Sequence, residues 1–93
     1  MEKQLHAKVV INGRVQGVWF RGTTVEMARP LGLTGYVRNR PDGRVEAVFE
    51  GSESSVRRAV SWCHRGPRSA SVESVDVTWA EPTGEYRDFS TRY

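Results

Sequence analysis

A single cysteine, Cys63, among 93 residues excludes an intramolecular disulfide framework, so the fold must stand on its own core. One thiol fits a reducing compartment. Histidine occurs only at His6 and His64, and no grouping of His, Cys, Asp and Glu has metal-ligand spacing, so neither a metal nor another cofactor is expected. No apolar run approaches the ~20 residues needed to span a bilayer, and Met1-Glu-Lys-Gln-Leu-His6 contains no apolar signal core. The expected address is cytoplasmic, with no membrane partner. Lysine is nearly absent. Of 14 basic residues all but Lys3 and Lys8 are arginine, and 11 acidic residues leave a net charge of +3. Arginine favours acidic ligands, but here it is scattered and forms no basic block, so nucleic acid is not the expected partner. A chain of this length forms one domain, 1–93, and buries roughly 60–70% of its unfolded surface.

Periodicity predicts five strands and two helices. Ala7 to Ile11 is β-rich and continuous enough for a central strand, followed by a loop over Gly13–Phe20. A helix is expected over about Gly22 to Leu31, with Phe20, Thr24, Met27, Ala28 and Leu31 on one face and Thr23 with Glu26 as a capping box. Pro30 cannot donate to Glu26, so that helix should loosen or end near Arg29. Thr34 to Asn39 is the next strand, with Gly35, Val37 and Asn39 on one face and Tyr36 and Arg38 on the other. A type I turn at Pro41 and Asp42 leads into a hairpin partner whose Val45, Ala47 and Phe49 face inward. In the second helix Ser52 is the expected N-cap, Val56, Ala59, Val60 and Cys63 form the apolar stripe, and Gly66-Pro67 is the stop. Val75, Val77 and Trp79 alternate in a strand over Val72–Trp79, with Val72 out of phase as at a bulge or late start. Phe89, Thr91 and Tyr93 alternate in a short last strand. The order predicts an α+β, ferredoxin-like βαββαβ sandwich, two helices on one face of an antiparallel sheet with an extra C-terminal strand.

Between the first strand and the first helix the chain reads Gly13-Arg-Val-Gln-Gly-Val-Trp-Phe-Arg21. A glycine-bracketed loop there can aim the backbone N–H groups of Val15, Gln16, Gly17, Val18, Trp19 and Phe20 at one point, where the helix N-terminus adds positive potential. Arg21 closes this cradle with a fixed cation able to make two parallel hydrogen bonds to phosphate oxygens. The expected occupant is a phosphoryl group or a carboxylate; the bland alternative is a glycine-rich connection with Arg21 solvated at its rim. Other phosphate chemistries fail on particular residues. Gly17 and Gly22 have Walker spacing, but Thr23 stands where the phosphate-binding lysine is needed. Cys63-His-Arg-Gly-Pro-Arg68 places its arginine one residue too early for a cysteine-dependent phosphatase, and a strand follows where a helix should. Cys63 therefore reads as core, His64 as complementing a helix C-terminus, and His6 as a surface strand residue.

After the loop come Leu31-Gly-Leu-Thr-Gly-Tyr-Val-Arg-Asn39, the turn Arg40-Pro-Asp-Gly43, the strand Arg44-Val-Glu-Ala-Val-Phe-Glu-Gly51, then Trp62-Cys-His-Arg-Gly-Pro67 and Phe89-Ser-Thr-Arg-Tyr93. From about Lys8 onward these segments resemble the acylphosphatase family in its small stand-alone form. A third possibility is the acylphosphatase-like segment of a larger carbamoyl-transfer maturation protein, but a chain ending at Tyr93 is expected to act alone. The resemblance implies a ferredoxin-like fold and hydrolysis of acyl phosphates to a carboxylate and inorganic phosphate by in-line attack of water. It assigns catalysis to the arginine ending the loop, Arg21, and the asparagine ending the second strand, Asn39. An amide is not a base near neutral pH, but it can hydrogen-bond a water and aim it. Inorganic phosphate should be both product and competitive inhibitor, and the protein a metal-independent monomer. Trp19 is a departure, a large ring where many relatives carry a smaller residue, and Arg68 stands where a second proline is frequent. The competing expectation is a non-catalytic ferredoxin-like module binding an anionic partner such as RNA. That reading needs exposed aromatics on the open sheet face, where Val45-Glu-Ala-Val-Phe-Glu50 offers acidic neighbours instead.

Overall fold

The computed structural model describes residues 2–92, so the expected placement of Tyr93 lies outside the described residues. Along the chain run β1 (Gln4–Arg14), α1 (Phe20–Ala28), β2 (Thr34–Asn39), β3 (Val45–Ser52), α2 (Glu53–Cys63), β4 (Ser71–Ala80) and β5 (Phe89–Arg92). The strands form one sheet in the order β4-β1-β3-β2-β5. Neighbours among the first four are antiparallel, while β5 lies parallel to β2, so the sheet is mixed rather than wholly antiparallel.

The period of two in the strands and the apolar stripes of the helices meet in one core. Leu5, Ala7, Val9 and Ile11 of β1 bury beside Val45, Ala47 and Phe49 of β3 and Val37 of β2. Onto them pack Phe20, Thr24 and Ala28 of α1 and Val56, Ala59, Val60 and Cys63 of α2. The Phe49 and Phe89 rings stack with centroids 5.2 Å apart, and Phe20 meets Trp62 edge-on at 5.5 Å. Burial pushes the Cys63 thiol up to about 12, which makes it an inert core group.

Several boundaries differ from expectation. β1 extends past Ile11 because Gly13 and Arg14 pair with Val72 and Ser71 after a register shift beyond Asn12, the irregularity that Val72 foreshadowed. Those two residues belong to the strand and not to the loop. α1 begins at Phe20, and the Thr23–Glu26 capping box does not form: Trp19 occupies the N-cap position with no side-chain bond, and Thr23 Oγ1 instead donates back to the Trp19 carbonyl at 2.9 Å. The helix does yield at the proline, passing into a 3-10 turn over Arg29–Leu31 that Gly32 ends. Ser52 is the N-cap residue of α2 but makes no side-chain cap bond. The Glu53 and Ser54 N–H groups are taken by the Lys3 carbonyl at 2.8 Å and Glu2 Oε1 at 3.2 Å.

On the sheet face away from the helices, Glu46 and Glu50 are buried rather than solvated. Glu46 accepts from Tyr36 Oη at 2.5 Å and from Arg38 through both carboxylate oxygens. Glu50 accepts from the Thr83 and Gly84 N–H groups and from His6 Nδ1 at 2.6 Å, which corrects the reading of His6 as a surface residue. The segment 81–88 thus folds back over this face, and Arg92 lies 4.2 Å from the Tyr36 ring centroid.

Candidate active site

The loop of residues 15–19 leaves β1 at the end of the sheet where β2 finishes and β4 starts. Gly17 turns it with φ 74, a conformation glycine adopts at little cost, and Trp19 follows at φ 61 before α1 begins. Among the described residues, the N–H groups of Gln16, Gly17, Val18 and Trp19 donate to no main-chain carbonyl. They lie beside the α1 N-terminus, whose own first N–H groups lack intrahelical partners.

Two side chains tie this loop in place. Gln16 Nε2 donates to the Arg40 carbonyl at 2.8 Å and the Arg44 carbonyl at 2.9 Å, joining the loop to the β2–β3 turn. Ser69 Oγ donates to the Val18 carbonyl at 2.9 Å, joining it to the approach to β4. Between these ties opens a cleft of about 780 Å³ lined by Arg14, Val15, Gly17, Val18, Trp19, Phe20, Arg21, Gly22, Asn39, Ser69 and Thr91.

Nearly every residue expected at the site therefore faces one cleft. Arg21 reaches it from the first turn of α1, and Asn39 from the last position of β2, where it pairs with Val45. No described residue hydrogen-bonds the Asn39 carboxamide. Val15 and Phe20 are 1% and 2% exposed, so their side chains belong to the core and their contribution to a cradle is main chain. Gln16 is the exception. It does not line the cleft, and its side chain is a strut to the following turn. Sequence reasoning missed Arg14, Ser69 and Thr91 as lining residues. Arg14 stood within the glycine-bracketed segment; Ser69 carried no local signal.

The lining is chemically one-sided. Among the described residues it holds two guanidinium groups and no carboxylate, imidazole, thiol or ammonium group. Such a cleft attracts a dianion and offers hydrogen bonds, and its described lining has no general base to activate the Ser69 or Thr91 hydroxyl. A reaction served by it must use a good leaving group and an external nucleophile.

The acylphosphatase family model matches residues 7–91, which span the loop, Arg21 and Asn39. The chain belongs to the acylphosphatase family. A relative named acylphosphatase from Roseiflexus sp. (strain RS-1) is 57% identical over 90 residues, 97% of this chain and 97% of its own length. Another, from Anaeromyxobacter dehalogenans (strain 2CP-C), is 46% identical over 93 residues, the whole of both chains. The crystal structure of acylphosphatase from Bacillus subtilis superimposes with a TM-score of 0.91 at 35% identity, covering 96% of this chain and 99% of that one. Acylphosphatase activity, a hydrolase reaction on small acyl phosphates, is the function this membership gives the chain. An acyl phosphate carries both things the cleft requires, an anionic phosphoryl group and a carboxylate leaving group. Nothing comparable supports the RNA-binding alternative, whose open sheet face is instead roofed by residues 81–88.

Proposed function

We propose that the phosphoryl group binds in the 15–20 loop against Arg21 and that Asn39 aims the attacking water. The observation that carries this reading is the convergence of Arg21 and Asn39 on one cleft whose described lining has no carboxylate or imidazole. The loop N–H groups and the guanidinium hold the phosphoryl oxygens and stabilise charge redistributed among them in the transition state. The Asn39 carbonyl oxygen accepts a hydrogen bond from water and positions its oxygen for attack on phosphorus, in line with the departing carboxylate. The P–O bond to the acyl group breaks, the carboxylate leaves with the electron pair, and the water proton passes to a phosphoryl oxygen. No protein base is needed because the leaving group is already good and positioning supplies the advantage.

Product phosphate remains complementary to the same loop, so it inhibits competitively. The mechanism calls on no group from a second copy, and the proposed state is a monomer. The single unpaired Cys63 supports a cytoplasmic setting. No resident metal is invoked, since no set of metal ligands stands among the described residues.

The test is phosphate release from acetyl phosphate by purified protein with and without EDTA. Turnover that survives the chelator and is inhibited competitively by inorganic phosphate is expected. Loss of activity in EDTA with recovery on adding a divalent ion would overturn the metal-independent mechanism, and purely noncompetitive inhibition would place the anion elsewhere.

A further inference from the structure

Phosphate binding does not account for Trp19. A cradle for phosphoryl oxygens needs main-chain N–H groups and a cation, yet an indole sits at its rim and is 72% exposed. It is held there at a cost. Its main chain takes the left-handed conformation, φ 61 and ψ 26, which a bulky residue rarely adopts. Its ring lies against Gly22, where an added Cβ would come within 2.1 Å of indole Cε2. The absence of a side chain at position 22 lets the ring rest on the first turn of α1, so the indole forms part of the cleft wall.

Reaction geometry limits which part of the substrate can meet that surface. Asn39 ends β2, whereas Trp19 precedes α1 next to Val18, whose carbonyl Ser69 binds on the approach to β4, and both line the same cleft. In-line displacement puts the attacking water and the leaving oxygen on opposite sides of phosphorus. A water held by Asn39 therefore leaves the acyl group on the far side of the phosphoryl group, and the large exposed apolar surface on the cleft's rim is the Trp19 indole.

We propose that Trp19 is the platform for the acyl group, a specificity-determining residue that favours aromatic or otherwise planar apolar acyl phosphates over short aliphatic ones. The proposal rests on the roles given above to the loop, Arg21 and Asn39. A rigid indole stacks on a planar acyl group with little loss of its own freedom, and the gain is realised only when that group is present.

The experiment compares kcat/KM for benzoyl phosphate and acetyl phosphate in the parent chain and in Trp19→Asn, Trp19→Gly and Trp19→Phe. Asparagine and glycine tolerate the left-handed main chain while removing the ring, and phenylalanine keeps a ring. The benzoyl-to-acetyl ratio should fall about three- to tenfold in Trp19→Asn and Trp19→Gly, the scale of one aromatic stack. It should largely recover in Trp19→Phe. Equal losses on both substrates would assign Trp19 to loop geometry and overturn the proposal, as would an unchanged ratio. A parent chain that turns over acetyl phosphate while the ratio ignores position 19 leaves the catalytic reading standing; one that turns over neither substrate defeats both.

Discussion

In the proposed mechanism Arg21 and Asn39 act on the same phosphoryl group by different physics, and their substitutions should separate. A guanidinium contacts phosphoryl oxygens in the ground state and in the transition state, so Arg21→Ala should weaken inorganic phosphate binding and lower kcat together. Arg21→Lys should recover little, because an ammonium lacks the bidentate fork. Asn39→Ala leaves the cradle intact, and kcat should fall by on the order of 10²–10³ while phosphate affinity stays near the parental value. Measuring the phosphate inhibition constant beside kcat for each folded variant decides the matter: equal loss of affinity in both would erase the division of labour. Both residues were legible because each ends a readable pattern, Arg21 a glycine-bracketed loop and Asn39 a strand of period two. Ser69 was not, since its partner Val18 is 51 positions away and no local spacing marks the contact. Nor does any local rule place a tryptophan in a left-handed N-cap position, because the penalty is offset by packing on Gly22 that only the fold reveals.

At the level of elements, what matters is how the loop is held relative to the end of β2. Gln16 was expected to lend its main-chain N–H to the phosphate loop, and its side chain has a separate task, binding the carbonyls of Arg40 and Arg44, on the residues just beyond Asn39 and just before β3. Removing it frees the turn that orients Asn39. Gln16→Ala should lower stability by about 1–2 kcal/mol, the net value of two such hydrogen bonds, and should lower kcat more than phosphate affinity. Gln16→Glu should be worse than alanine on both counts, since it sets a carboxylate against two carbonyl oxygens. Urea denaturation and steady-state kinetics on the pair check this. The strands and the second helix were readable because apolar periodicity and burial agree along them. The start of α1 was misread for a physical reason: the Thr23 hydroxyl donates to the Trp19 carbonyl, and side-chain capping rules do not describe an end whose N-cap residue makes no side-chain bond.

For the whole molecule, the sheet face away from the helices governs how stability depends on pH. Burial pushes Glu46 and Glu50 upward, but hydrogen bonds outweigh it, from Tyr36 and Arg38 to Glu46 and from Thr83, His6 and Gly84 to Glu50, and both carboxyls are held below the ordinary glutamate value. Their contribution is therefore complete above the ordinary value of about 4.3 and is lost as pH falls below it toward their folded-state values. Tyr36 behaves oppositely. Burial and the hydrogen bond to Glu46 push it up to about 12, so stability is complete below about 10 and declines between about 10 and 12 as the unfolded chain alone gives up the proton. Thermal melts across pH should show both limbs. Glu50→Gln should flatten the acid limb and Tyr36→Phe the alkaline one, each at the expense of stability near neutrality. The architecture was legible from the order and spacing of its segments, including the extra strand. The roof of residues 81–88 was not, because it is fixed by main-chain N–H groups binding a glutamate more than thirty positions earlier.

The tie from Ser69 to Val18 has a kinetic meaning. It closes the cleft across 51 positions of chain, and Asn39 reaches the same cleft only after β2 has paired with β3. Before those non-local pairings form, residues 13–21 are a flexible glycine-containing peptide with no fixed grip on an anion. Long-range closures of this kind come late because the entropy of ordering the intervening chain must be overcome first. Turnover is thus a gauge of the completed fold, silent in a collapsed intermediate that already holds much of its secondary structure and switched on only when the distant edges of the sheet are in register.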